Sequence, residues 1–246
     1  MRAGRLRRRK KSDIIGVMTA GMRPSGQEGK GMAGAGVLGL TLPAMAAMLY
    51  FYFTIRDRFP HLMAKGGATW MALTTAVFCY SQGSDLPVGG LMIAATALFV
   101  LADVLLDVRF LAGVAAFGLG HAALIGWIIA QKAHLSQPLL SGFSVLMAAV
   151  LYALAVFIFR RKLRQAGKKA IVMLVYAVVL SLMTAMAASL LLSGGLRYLV
   201  FALGAVCFMI SDLLVAQGML AGMARKWHVL AMILYESAVM MMAVSV

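Results

Sequence analysis

Leu139-Leu-Ser-Gly-Phe-Ser-Val-Leu-Met-Ala-Ala-Val-Leu-Tyr-Ala-Leu-Ala-Val-Phe-Ile-Phe159, followed at once by Arg160, Arg161 and Lys162, decides what kind of molecule this chain makes. No charge interrupts residues 139 to 159, and about 20 apolar residues in a helix are what it takes to cross the hydrocarbon of a bilayer. Cations directly after such a run anchor it at the headgroups. Working outward, similar apolar runs fall at about 34–55, 66–82, 88–106, 110–131, 171–192, 196–216 and 227–246, separated by charged or Gly/Pro-containing breaks. The pattern predicts an all-α, polytopic transmembrane bundle of about eight spans, because only helices or closed barrels satisfy their backbone groups in lipid. The run at 66–82 is the most diluted, by Thr74, Thr75, Tyr80 and Ser81.

The composition agrees. Of 246 residues, 63% are hydrophobic and 13% charged, with a mean hydropathy of +0.92, outside the range of soluble domains. The net charge of +15 is concentrated at the ends of apolar runs, which points to lipid headgroups as the anionic partner and away from nucleic acid. Cys79 and Cys207 each sit inside an apolar run, so neither a disulfide framework nor a Cys metal site follows from them. Residues 1–31, with Arg5, Arg7, Arg8, Arg9, Lys10 and Lys11 followed by a Gly-rich stretch, are expected to form a disordered basic tail ahead of a membrane domain at 32–246. Charges at Asp13, Arg23, Glu28 and Lys30 interrupt the tail where a signal peptide would need an apolar core. The consecutive Met240, Met241 and Met242 are expected to be lipid-facing filler.

The connections after the odd-numbered runs contain Arg56, Arg58, Lys65, Arg109, Arg160, Arg161, Lys162, Arg164, Lys168, Lys169, Arg225 and Lys226; the opposite ones contain Lys132 and Arg197. That bias places the first set in the cytoplasm, while the cations of the tail pull the other way. A multi-pass protein of the cell (inner) membrane is the expected location.

Ionisable residues inside spans are costly, at least about 2.5–3.5 kcal/mol for a central Asp, so each needs a partner or a function. Five occur: Asp103, Asp107, His121, Asp212 and Glu236. Asp103 and Asp212 sit at similar depth in spans that run the same way. At 1.5 Å per residue, Tyr176 lies roughly 8 Å, Glu236 roughly 14 Å and His121 roughly 17 Å in from that same side. The polar groups therefore gather in one half of the membrane, where a cavity would open towards the basic connections. Asp107, close to Arg109, also fits an ion-paired helix end, while His121, Tyr235 and Glu236 also fit hydrogen bonding between helices. Asp103 and Asp212 have no cation within a helical turn, which favours function for them.

Several other intramembrane chemistries fit the sequence poorly. A zinc hydrolase needs several His ligands, and His61, His134 and His228 lie in loops or at edges, leaving His121 alone in a span. No Gly-x-Ser-x-Gly occurs for a serine protease. Intramembrane aspartyl proteases carry Tyr-Asp and Gly-x-Gly-Asp, whereas this chain has Ala102-Asp103 and Ser211-Asp212.

Two stretches resemble the YhhN family of lysoplasmalogenases. The first is Ala102-Asp103-Val-Leu-Leu-Asp107 with Phe110-x-x-Gly113-x-x-Ala116-Phe117-x-x-x-His121; the second is Gly204-Ala205-x-x-Phe208-x-x-Ser211-Asp212. The chain departs from the family pattern at Ala102, where Gly is usual, and at Leu124, where Tyr is common. The resemblance implies hydrolysis of the vinyl ether of a lysophospholipid, giving a fatty aldehyde and a glycerophospho-choline or glycerophospho-ethanolamine. Vinyl ethers hydrolyse by protonation of the β carbon and water addition to the resulting oxocarbenium ion. Such a site needs one acid and one stabilising carboxylate or base, and no metal or organic cofactor. Asp103 and Asp212 are the expected catalytic pair, either of which could be the acid; His121, Tyr176, Asp107, Ser211 and Glu236 are expected to support them. The alternative is a transporter or lipid-binding protein that uses the same carboxylates for protons or a cationic headgroup.

Overall fold

The computed structural model describes residues 26–55, 58–83 and 86–245. By Cα proximity the chain divides into two units, residues 1–38 and 39–246. Most of the tail expected at 1–31 lies outside the described residues; its last residues belong to the first helix, which begins at Gly26. The second unit, from residue 39 onward, holds the packed bundle and its cavity.

Among the described residues eight α-helices succeed one another: α1 Gly26–Thr54, α2 Arg58–Ser81, α3 Leu86–Val108, α4 Phe110–His134, α5 Gly142–Leu163, α6 Lys168–Gly194, α7 Leu199–Ala221 and α8 Arg225–Ala243, with a 3-10 turn at Leu196–Tyr198. No strand occurs among those residues. The breaks have local causes. Arg109 alone leaves helical geometry (φ −143°, ψ 88°) and turns α3 into α4. Ser141 caps α5 by accepting from the Ser144 amide, while the Ser144 hydroxyl accepts from the Ser141 amide. Gly222, at φ 74°, ends α7 in a conformation that a side chain would resist.

Six of these eight helices are long and apolar enough to cross a membrane, through the segments Gly36–Thr54, Val88–Val108, Phe110–His134, Gly142–Leu163, Ala170–Gly194 and Leu196–Ala221. The chain is thus a multi-pass membrane protein, and the expectation of about eight spans overstates the number that qualify on their own composition. α2 and α8 fall short because each turns polar residues to the interior and each begins with basic ones, Arg58 and His61 in α2 and Arg225, Lys226 and His228 in α8. Lys65, Thr69 and Thr75 of α2 and Glu236 of α8 are buried, while Met63, Trp70 and Val77 of α2 and Trp227 and Ile233 of α8 point outward.

The exterior is apolar, with Leu119, Leu146, Phe157, Ile171, Val175, Leu192 and Leu203 all exposed, as a lipid-facing surface requires. Inside, small residues let helices approach closely. Ala64, Ala68, Ala72 and Ala76 form a buried stripe along α2, which packs on α3 and α8. Met240 and Met242 are buried as well. Their expected place facing lipid is corrected by the packing of α8 on α7, where Met241 and Met242 close over Gly204. Lys132, expected in a connection, is instead a buried residue of the last turn of α4, donating to the Ser189 hydroxyl at 2.9 Å.

The α3–α4 hairpin is the most extensive helix contact. A Cβ on Gly113 would lie 2.5 Å from the Leu106 backbone nitrogen and 2.6 Å from its Cα, and one on Gly120 would lie 2.5 Å from the Phe99 ring. At Gly113 the obstacle is backbone and cannot rotate away. Gly113→Ala is therefore expected to destabilise the protein by about 1–3 kcal/mol, read as a lower unfolding midpoint in detergent. Gly118→Ala, on the same helix with open space around it, should not lower that midpoint, since Ala is the better helix former.

Candidate active site

A cavity of about 500 Å³ opens between the helices, in the size range of small-molecule and lipid-chain sites. Lys65, Asp107 and Phe110 line it, as do Phe159 of α5, Met173 of α6, Met219 of α7 and His228 of α8. It therefore lies at the late ends of the odd-numbered helices and the early ends of the even-numbered ones, the side of the basic connections. Most of the lining is apolar. The polar lining gathers into two groups, one around Asp103 and one around Asp212.

Asp103, on α3, is only 1% exposed. Its Oδ2 accepts hydrogen bonds from the Thr69 hydroxyl at 2.5 Å and the Tyr235 hydroxyl at 2.8 Å, and the Lys65 ammonium stands 3.9 Å from Oδ1. One cation and two donors thus compensate a carboxylate that would otherwise be very expensive in a dry interior. Lys65 and Thr69 come from the same face of α2 because they are four residues apart.

Thr69 also lies 3.1 Å from Oε1 of Glu236, a fully buried residue. A hydroxyl has one hydrogen. Both contacts of Thr69 are satisfied only when one of the two carboxyl groups carries a proton and donates to the Thr69 oxygen. Asp103 faces the ammonium, whereas Oε2 of Glu236 has no hydrogen-bond partner among the described residues. The arrangement of least cost is a neutral Glu236 donating to Thr69, which in turn donates to an ionised Asp103.

Asp212, on α7, accepts a hydrogen bond from the Tyr176 hydroxyl of α6. Behind it stands His121 of α4, whose Nε2 is 4.0 Å from Asp212 Oδ2. The Nδ1 of His121 donates to the Phe117 carbonyl at 3.1 Å, so in the neutral form of the ring the lone pair of Nε2 faces the carboxyl group. Phe208 fixes the ring by an edge contact at 4.6 Å and makes a second one, at 5.3 Å, with Tyr235. Phe208 thus separates the partners of the two aspartates.

The expected residues divide accordingly. Asp103 and Asp212 face one cavity, each with its own set of partners; His121 and Tyr176 attend Asp212 and do not touch Asp103. Glu236 reaches Asp103 through Thr69. Asp107, half-exposed, pairs with Lys65 at 3.5 Å. Ser211 lines the cavity, yet its hydroxyl donates to the Ala231 carbonyl at 2.8 Å and ties α7 to α8.

Three residues of the site are additional to those expected. Lys65 reads in sequence as one more cation of a connection, but α2 begins at Arg58 and carries it inward. Thr69 looks like an ordinary polar residue near the start of an apolar run; its spacing from Lys65 was the available signal. Tyr235 stands beside Glu236, and neighbours on a helix point in different directions, so that one donates to Asp103 and the other reaches Thr69.

Comparison with known proteins gives one positive result. No curated protein matches the chain, and no solved structure does. The sequence model of the YhhN family matches residues 61–246. That range holds every side chain of both aspartate clusters, and on it the chain belongs to the YhhN family.

Proposed function

We propose that the protein is a membrane hydrolase that cleaves the vinyl ether of lysoplasmalogens, releasing a fatty aldehyde and a glycerophospho-choline or glycerophospho-ethanolamine, in the cell membrane. The observation that carries this is the pair of separately partnered aspartates on one otherwise apolar cavity. Vinyl ether hydrolysis calls for two carboxyl groups in opposite protonation states, and two unlike environments keep two carboxyl groups different.

Asp103, beside an ammonium and under two donated hydrogen bonds, suits the carboxylate role; Asp212, whose one neighbouring basic group among the described residues is an imidazole, suits the acid. Asp212 gives its proton to the β carbon of the alkenyl chain, and the double-bond electrons form the new C–H bond. The oxocarbenium ion that results is stabilised by the Asp103 carboxylate. Asp103 takes a proton from water as its oxygen adds to the cationic carbon, giving a hemiacetal. Collapse of the hemiacetal breaks the bond to the glycerol oxygen, which takes the proton from Asp103, while the hydroxyl proton returns to Asp212. Both carboxyl groups regain their starting states, and one water is consumed. His121 and Tyr176 hold Asp212 towards the cavity. The apolar lining accommodates the alkenyl chain and keeps bulk water from the cation.

Purified protein should release aldehyde from an alkenyl lysophospholipid, and Asp103→Asn and Asp212→Asn should each lower the rate by about 10²–10⁴-fold, the usual worth of a general acid or base. Folded variants that retain near-parental turnover would sink the mechanism. Proton-coupled uptake by reconstituted vesicles, without aldehyde release, would favour a transporter.

The hydrogen count at Thr69 predicts an asymmetry between neighbours. In Glu236→Gln the amide still donates to the Thr69 oxygen, so turnover should stay within about fivefold of the parent. Thr69→Val removes the bridge and a hydrogen bond to a charged group, a loss of about 1.5–3 kcal/mol, so turnover should fall by at least about tenfold. A Gln variant as impaired as the Val variant would mean that Glu236 must ionise.

A further inference from the structure

Asp107 and Lys65 have no step in the hydrolysis, yet both face the cavity at its mouth. Asp107 lies four residues after Asp103 on α3, so it stands one helical turn, about 6 Å, nearer the open end. Its side chain is 40% exposed, against 9% for Lys65. The ammonium of Lys65 stands between the two aspartates, 3.5 Å from Asp107 Oδ2 and 3.9 Å from Asp103 Oδ1. Both distances exceed the roughly 2.7–2.9 Å of a tight charge-assisted bond, and an ammonium has three hydrogens to donate. Lys65 therefore has spare donor capacity, and Asp107 has a carboxylate only loosely engaged.

We propose that Lys65 and Asp107 form a subsite for zwitterionic headgroups, Lys65 meeting the phosphate and Asp107 the ammonium of a phospho-amine. The proposal rests on the function above and adds how the polar end of the substrate is read. With the reacting ether beside Asp103, the three-carbon glycerol unit carries the phosphate towards the mouth, to the level of Lys65, and the amine follows. A zwitterion exchanges one ion pair for two without changing the charge of the site. An anionic headgroup of the phosphoglycerol kind would bring negative charge beside two carboxylates that share one ammonium, with no cation of its own for Asp107, and like charges at short range oppose binding.

The test uses saturated alkyl-ether lysophospholipids, which lack the vinyl bond and are not consumed, with either a phosphoethanolamine or a phosphoglycerol headgroup. Binding to the full chain in detergent is measured for the parent, Asp107→Asn, Asp107→Glu and Asp103→Asn, with unfolding midpoints alongside to confirm folding. The parent should prefer the phosphoethanolamine form by roughly tenfold or more, as befits a hydrogen-bonded charge pair. Asp107→Asn should remove most of that preference, Asp107→Glu should keep part of it, and Asp103→Asn, which leaves Asp107 to meet the amine, should reduce it less than Asp107→Asn does. Equal affinities in the parent, or a preference unchanged in folded Asp107→Asn, would overturn the proposal. Aldehyde release from the alkenyl form, assayed in parallel, tests the hydrolase separately. Silence there with the headgroup preference intact would leave the subsite standing and remove the reaction.

Discussion

Burying Asp103 is the constraint on which the rest of this bundle depends. A carboxylate almost wholly removed from solvent can persist only with a cation and donors around it, and the chain supplies them from two helices that are themselves too polar to cross a membrane on composition. α2 brings Lys65 and Thr69; α8 brings Tyr235. Those side chains are in reach because the alanine stripe of α2 lets it lie close to α3 and α8. The helices least suited to lipid thus supply the partners of Asp103, while the apolar spans α3, α4, α6 and α7 carry the two aspartates, His121 and Tyr176.

The bundle itself was legible in the sequence, because apolar runs bounded by charges carry the strongest local signal a chain can give. The eight runs correspond in order to the eight described helices. What composition blurred was the difference between a run that faces lipid and one that spends its polarity inward: the run at 66–82 was visibly dilute, but the one at 227–246 was not, since Glu236 is a single residue among Met, Ala and Val. The site was legible where helical depth could be counted. That counting put Asp103, Asp212, His121, Tyr176 and Glu236 in one half of the membrane. It could not tell which helix touches which, and so could not assign His121 and Tyr176 to Asp212 or Glu236 to Thr69. Lys65 was hidden for a different reason: a cation near the start of a helix looks solvent-facing until the helix is found to begin seven residues earlier, at Arg58.

The separation of the two aspartates has a chemical consequence. Carboxyl groups in direct contact would share one proton and behave as a unit. Here each has its own partners, with Phe208 between the two sets, so the two groups are held in different surroundings. That suits a reaction in which proton donation and cation stabilisation occur at neighbouring atoms of one substrate, and the surrounding apolar wall strengthens both electrostatic effects.

Protonation at carbon is the central step, and running the hydrolysis of an alkenyl lysophospholipid in D₂O tests it most directly. The released aldehyde, reduced at once to the alcohol and examined by mass spectrometry, should carry a single carbon-bound deuterium on the atom next to the former carbonyl carbon. Aldehyde with no deuterium at that carbon would contradict acid catalysis at the vinyl ether by the Asp103–Asp212 site.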